Sequence, residues 1–132
     1  MRTKLFLILS LFALLAITLA FGQAQAIRAN IPFAFIAQGK TLPAGQYEFI
    51  PESSSDSMRI GTPGGKGGVS VLVPVIARLG AAIHTSKQDS HIVFDEVGGV
   101  YTLSEIWAPG EDGWLLFVTK GKHQHKTVDV PR

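Results

Sequence analysis

Two histidines separated by a single residue are the clearest candidates for chemistry in this sequence. His123 and His125 lie in the stretch GKHQHK near the C-terminus. In an extended strand alternate side chains share one face, which places the two Cα atoms about 6.5–7 Å apart. Neutral imidazole is a good ligand for zinc or copper, so this pair is a candidate metal site.

The interpretation that we favour for this stretch is a polar final strand or tail. A zinc site takes three or four ligands, and the pair supplies only two of them. Asp129 shares the parity of the histidines, but it stands at least about 12 Å further along an extended chain. His84 or His91 could contribute only through the fold, and three lysines between positions 120 and 126 repel a cation.

Glu105 is a second candidate, in this case for acid–base chemistry. In the stretch YTLSEIW it alternates with Tyr101, Leu103 and Trp107, so it is predicted to share their face of a strand. If that face is buried, Glu105 is a carboxyl group among apolar side chains. Such a group can act as a general acid in hydrolysis.

A hydrolytic role for Glu105 requires a partner. A glycosidase needs a second carboxylate roughly 5–10 Å away, and Glu48 and Glu52 are the candidates. The alternative is a structural one, in which Glu105 pairs with Arg59 or Arg78 or lies where the face opens to solvent. Structural ion pairs of this kind are the commoner role of a strand carboxylate, so we favour this alternative.

No other motif predicts catalysis or a cofactor. The glycine-rich stretch GTPGGKGG suggests a phosphate-binding loop, but Ile60 stands where the first glycine belongs and Gly67 where Ser or Thr belongs. No serine lies in a G-x-S-x-G or Ser-x-x-Lys pattern. We therefore predict no catalytic residues and no cofactor, and an enzyme is the less favoured class.

Short apolar runs that alternate with polar residues between Gly and Pro turns predict an all-β fold. The first strand begins at Ile27, and Pro32 places it at a sheet edge. Gly98 and Gly99 turn a hairpin. The stretch WLLFVT is apolar on both faces and predicts a central strand. Together these signals predict a small antiparallel β-sandwich or partly open barrel of about six to eight strands.

An export signal is predicted at positions 1–26. Arg2 and Lys4 precede an uncharged apolar run, and the stretch AQA (24–26) has the small-x-small pattern that signal peptidase cleaves. The alternative is an uncleaved membrane anchor, although the run is at the short end of the roughly 17–25 residues that span a bilayer. We expect a signal helix followed by a single β domain at 27–132, exported to the periplasm or secreted. The chain then meets a membrane only through the signal segment before cleavage.

Charge and composition limit the possible partners. The net charge of +2 comes from 12 basic and 10 acidic residues, and the signal segment holds two of the basic ones, Arg2 and Lys4. The domain that remains is balanced, so it lacks the basic surface with which proteins bind nucleic acid. The absence of cysteine excludes disulfides and thiolate metal sites.

Two long stretches resemble a group of small exported bacterial proteins. They are IPFAFIAQGKTLPAGQYEF and IVFDEVGGVYTLSEIWAPGEDGWLL, and the resemblance extends over most of the domain. The group shares a first strand, an LPAGxY turn and strand, and a VFD…LSEIW hairpin. The resemblance implies an exported all-β domain, and it brings no catalytic or binding residues with it.

Two functions therefore stand as hypotheses. The first is an exported, non-catalytic β-domain of the cell envelope or exterior, with a binding or structural role and an envelope or extracellular partner. The second is a metal-binding or hydrolytic protein that uses His123 and His125, or Glu105. Positions 75–90 fit either a strand with a loop or a short helical turn, and they do not discriminate between the two hypotheses.

Overall fold

The computed structural model describes residues 26–52, 56–65, 68–80 and 90–131, and in these ranges the protein is all-β, as predicted. It forms eleven strands and one 3-10 turn at Pro63–Gly65. The strands are β1 (Ile27–Ile31), β2 (Phe35–Ala37), β3 (Lys40–Leu42), β4 (Gly45–Pro51), β5 (Ser57–Gly61), β6 (Ser70–Pro74), β7 (Ala77–Leu79), β8 (His91–Val97), β9 (Val100–Trp107), β10 (Gly113–Leu115) and β11 (Gln124–Asp129).

The strand count exceeds the predicted six to eight because β2, β3, β7 and β10 have three residues each. Strands this short show no alternation in the sequence.

The predicted signal segment, apart from Ala26, lies outside the described residues, as does His84. Positions 77–79 form strand β7, while 81–89 also lie outside. Within the described ranges no helix has the length and apolar character needed to cross a membrane.

The strands form two sheets that enclose one core. The first sheet is antiparallel with the order β1-β4-β5-β6, so β1 is an edge strand, as Pro32 predicts. The second has the order β11-β8-β9-β10-β7. Strand β2 joins β9 through a parallel pair, Ile36 with Thr102, and β3 pairs with β2, so this sheet is mixed. Both sheets keep open edges, and the fold is a sandwich of two sheets.

Aromatic rings fill the centre of the sandwich. Phe35 meets Tyr47 from the first sheet and Phe94 from the second in edge-to-face contacts, with ring centroids 5.2 and 5.3 Å apart. Burial raises the pKa of the Tyr47 phenol, which therefore stays protonated and donates a hydrogen bond of 2.5 Å to the carbonyl of Pro43. This bond fastens the LPAG turn to the core.

A β-bulge in β9 changes which residues face that core. The register passes from Val93 opposite Glu105 to Phe94 opposite Leu103, which leaves Ser104 as an extra residue. Leu103 lies in the core as predicted, but the bulge turns Glu105 to the opposite face of the sheet. The prediction of one shared face was wrong because an extra residue inverts the alternation beyond it.

Trp107 follows Glu105 onto this outer face and is buried there, with 3% of its surface exposed. Its ring stacks on His91, with centroids 5.8 Å apart. It also lies against Gly113, where an added Cβ would stand 2.8 Å from three atoms of the indole. The outer face of the second sheet thus has a packed region of its own.

Residues 116–123, which we call the crossing segment, lead from β10 to β11. The predicted central strand WLLFVT is therefore wrong beyond Leu115, where the chain leaves the sheet. The amide of Leu116 donates to the carbonyl of Ser104 in β9, and the hydroxyl of Thr119 donates to Asp95 in β8. The segment thus passes over β9 and β8 before the chain enters β11 at the far edge.

Candidate metal centre

Three side chains of metal-ligand type meet where the crossing segment joins β11. They are Asp95, His123 and His125, and their ligand atoms all lie within 4.8 Å of one another. The predicted pair of histidines is thus brought together with a carboxylate from β8, which sequence reasoning had not proposed. The stretch GKHQHK is a final edge strand and its lead-in, rather than a loose tail.

Strand pairing places the three groups on one face. In the antiparallel ladder of β11 and β8, His125 stands directly opposite Asp95. Opposite residues of such a ladder point the same way, with Cβ atoms about 4.5–5.5 Å apart. His123 lies two residues earlier. The Oδ1 atom of Asp95 is 3.1 Å from Nδ1 of His125 and 3.9 Å from Nε2 of His123. Ligand atoms of a tetrahedral zinc ion lie about 3.3–3.4 Å apart, so small adjustments would admit an ion.

The carboxylate of Asp95 is held in place from one side. Only 3% of its side chain is exposed, because the crossing segment lies over it. Its Oδ2 atom accepts a hydrogen bond of 2.7 Å from the hydroxyl of Thr119. Its Oδ1 atom is buried and has no hydrogen-bond partner among the described residues. Nδ1 of His125 is close enough to Oδ1 for electrostatic attraction, but it is not aligned to donate to it.

The buried Oδ1 atom therefore requires a positive partner, since an unsatisfied charged oxygen in the interior is costly. An ion pair with His125, whose Nδ1 atom lies 3.1 Å away, is one solution. A cation bound jointly by Oδ1 and the two imidazole nitrogens is the other solution. A metal ion can bind Oδ1 without the N–H alignment that a hydrogen bond from His125 would require.

A backbone carbonyl orients the second imidazole. Nδ1 of His123 lies 2.9 Å from the carbonyl oxygen of Gly121. A carbonyl only accepts, so Nδ1 carries the proton and Nε2 presents its lone pair towards Asp95. Histidine ligands of metals typically donate their other N–H in this way. Gly121 has φ +89°, a conformation that glycine adopts readily, and the turn there directs its carbonyl to the ring.

The other predicted ligands are not part of this group. Asp129 lies at the far end of β11, opposite His91, so it is not the third ligand that its parity suggested. His91 stacks on Trp107 instead. Lys126 is opposite Phe94 in the ladder, so it alternates to the other face and its charge points away from the site.

Glu105 is not brought together with a second predicted carboxylate. It is half-buried on the outer face of the second sheet. Glu48 and Glu52 belong to the first sheet and its margin, where they pair with Arg28 at 2.9 Å and Arg59 at 2.6 Å. The core of the sandwich separates them from Glu105.

Arg78, the other predicted partner of Glu105, is engaged elsewhere. Its guanidinium lies 4.5 Å from the ring centroid of Trp114 and donates to the backbone carbonyls of Asp112 and Gly113. The outer face around Glu105 therefore contains neither of the ion pairs that the sequence suggested, since Arg59 pairs with Glu52.

The fold and this group define the class of protein: a β-sandwich with a candidate transition-metal site at one edge. No protein-family model matches the chain, and no curated protein or solved structure matches it either.

Proposed function

We propose that this protein is an exported β-domain of the cell envelope or exterior that binds a divalent transition-metal ion at Asp95, His123 and His125. The observation that carries the proposal is the buried Oδ1 atom of Asp95, which lacks a hydrogen bond and faces two imidazole nitrogens. A cation at this position would satisfy the oxygen and both lone pairs together.

The donor set indicates which ions fit. Two imidazoles and one carboxylate suit zinc or copper better than magnesium or calcium, which prefer all-oxygen sites. Asp95 and His125 are held by a strand ladder, and His123 by the carbonyl of Gly121. Such preorganisation lowers the cost of assembling the ligands around an ion.

Binding rather than catalysis is the role we propose. Glu105 is the one general-acid candidate that the sequence offers, and its predicted partners Glu48 and Glu52 are in ion pairs across the core. The balanced charge of 27–132 argues against nucleic acid as the partner.

Calorimetric titration of protein 27–132 with zinc and with copper tests the metal site. We expect submicromolar binding by the wild type. His123→Ala and His125→Ala should each weaken it by at least tenfold, because loss of a ligand exceeds the roughly 10–100-fold effect of its outer-shell partners. His91→Ala is the matched control, since it removes a histidine of the same sheet outside the group. Equal affinity in all four proteins would contradict the proposal.

Export makes a separate prediction. Mass spectrometry of the protein recovered outside the cytoplasm should find Ile27 at the N-terminus, because the signal pattern ends at Ala26. Intact Met1 on membrane-bound material would show an uncleaved anchor instead.

A further inference from the structure

We propose that the bound metal ion accepts an anionic oxygen, from a carboxylate or phosphate of a second molecule, as its next ligand, and that Lys122 assists this binding. The inference rests on the proposed metal site. It names the kind of molecule that the site would hold.

The number of protein ligands leaves a position for such a group. Zinc takes at least four ligands, and three protein ligands with one open position are typical of sites that bind an outside molecule. Among the described residues, Asp95, His123 and His125 are the full set of side chains whose ligand atoms meet here. Glu96 and Gln124 are neighbours in the chain, but strand alternation directs them to the other face.

The open position faces solvent. The three ligands differ in exposure, from 3% for the side chain of Asp95 to 22% for His123 and 57% for His125. Asp95 therefore lies on the protein side of the ion and the imidazoles on its solvent side. A ligand that completes the coordination sphere would approach from the surface.

Charge favours an anion at that position. A divalent ion with one carboxylate and two neutral imidazoles keeps a formal charge of +1. The exposed Lys122 precedes His123, and both line a surface depression whose wall also includes Glu96 but neither Asp95 nor His125. The charges of Lys122 and Glu96 offset each other in this depression, so the positive charge that favours an anion is that of the metal complex beside it. Lys122 is one of the lysines whose charge repels a metal cation. The same charge suits an anion bound to the metal, since an ammonium group binds phosphate or carboxylate as a point charge.

Cobalt(II) is a suitable probe, because its visible spectrum reports a change of ligands. Protein 27–132 saturated with cobalt would be titrated separately with acetate and with inorganic phosphate. We expect a saturable spectral change with at least one anion, and the responding anion identifies the donor as carboxylate or phosphate. Lys122→Ala should weaken the apparent anion affinity about two- to fivefold, the range of a surface ion pair. Lys126→Ala is the matched control, because that lysine alternates to the other face and should leave the affinity unchanged.

The outcomes separate this inference from the proposed function. A cobalt spectrum that neither anion alters would overturn the inference and leave the metal site intact. Equal anion affinities of the Lys122 and Lys126 variants would overturn the role of Lys122. Failure of the wild type to bind cobalt, zinc or copper would overturn the metal site itself and the inference with it.

Discussion

Replacing Asp95 with asparagine is expected to weaken zinc or copper binding by roughly 100-fold or more, because it removes the one charged ligand of the group. Asparagine has the same shape, and its amide oxygen can still accept the hydrogen bond that Thr119 donates to Oδ2. The crossing segment should therefore remain in place. Calorimetry or competition with a chelating dye would measure the loss.

The stability of the same variant provides a second measurement. Without metal, Asp95→Asn should unfold at the same temperature as the wild type or a higher one, since it removes a buried charge whose Oδ1 atom lacks a hydrogen bond. With zinc at 100 times the dissociation constant of the wild type, the wild type should gain about 2.7 kcal/mol and Asp95→Asn much less. Asp129→Asn is the control, because that carboxylate lies at the far end of β11.

One result would assign Asp95 a purely structural role. If Asp95→Asn binds zinc as tightly as the wild type while His123→Ala does not, the ion is held without the carboxylate. Metal-dependent stabilisation of the Asp95→Asn protein would support the same conclusion.

Two of the three candidate ligands could be predicted from the sequence, and the third could not, for a physical reason. His125 lies in β11 and His123 directly before it, and their spacing of two residues along an extended chain puts them together. Asp95 joins them only because β11 pairs directly with β8 in the sheet. In the sequence, β9 and β10 lie between these two strands. Local sequence patterns do not determine which residues pair between two strands so far apart in the chain. The one available signal was the pair of carboxylates, Asp95 and Glu96, that interrupts the otherwise apolar stretch IVFDEV.

The fold, like the candidate site, could be predicted only in part from the sequence. Alternation predicted the all-β class and the hairpin at Gly98 and Gly99, because these depend on near neighbours in the chain. It failed where a single extra residue, Ser104, inverted the pattern. It also failed for the stretch after Leu115, where the chain leaves the sheet and enters the crossing segment. Leu116 packs in the core there, whereas Phe117 and Val118 are exposed, so the apolar run does not mark a strand.

The second large effect is expected from Trp107→Ala, which should destabilise the protein by about 3–5 kcal/mol. The indole is 3% exposed, stacks on His91 and fills the space above Gly113. Truncation would leave a cavity on the outer face of the second sheet that backbone hydrogen bonds prevent from closing. Since a domain of this size has about 5–15 kcal/mol of stability, urea denaturation should show a large fall in the unfolding midpoint.

Gly113 allows the contact itself to be tested. In the wild type, Gly113→Ala places a Cβ 2.8 Å from the indole, an overlap that should cost about 1–3 kcal/mol. In the Trp107→Ala background the ring is gone, so the same substitution should cost much less, and the double-mutant cycle isolates the contact. Additive effects would show that the two residues do not touch. An unfolding midpoint unchanged in Trp107→Ala would show that the indole lies on the surface, where an aromatic ring is available to a binding partner.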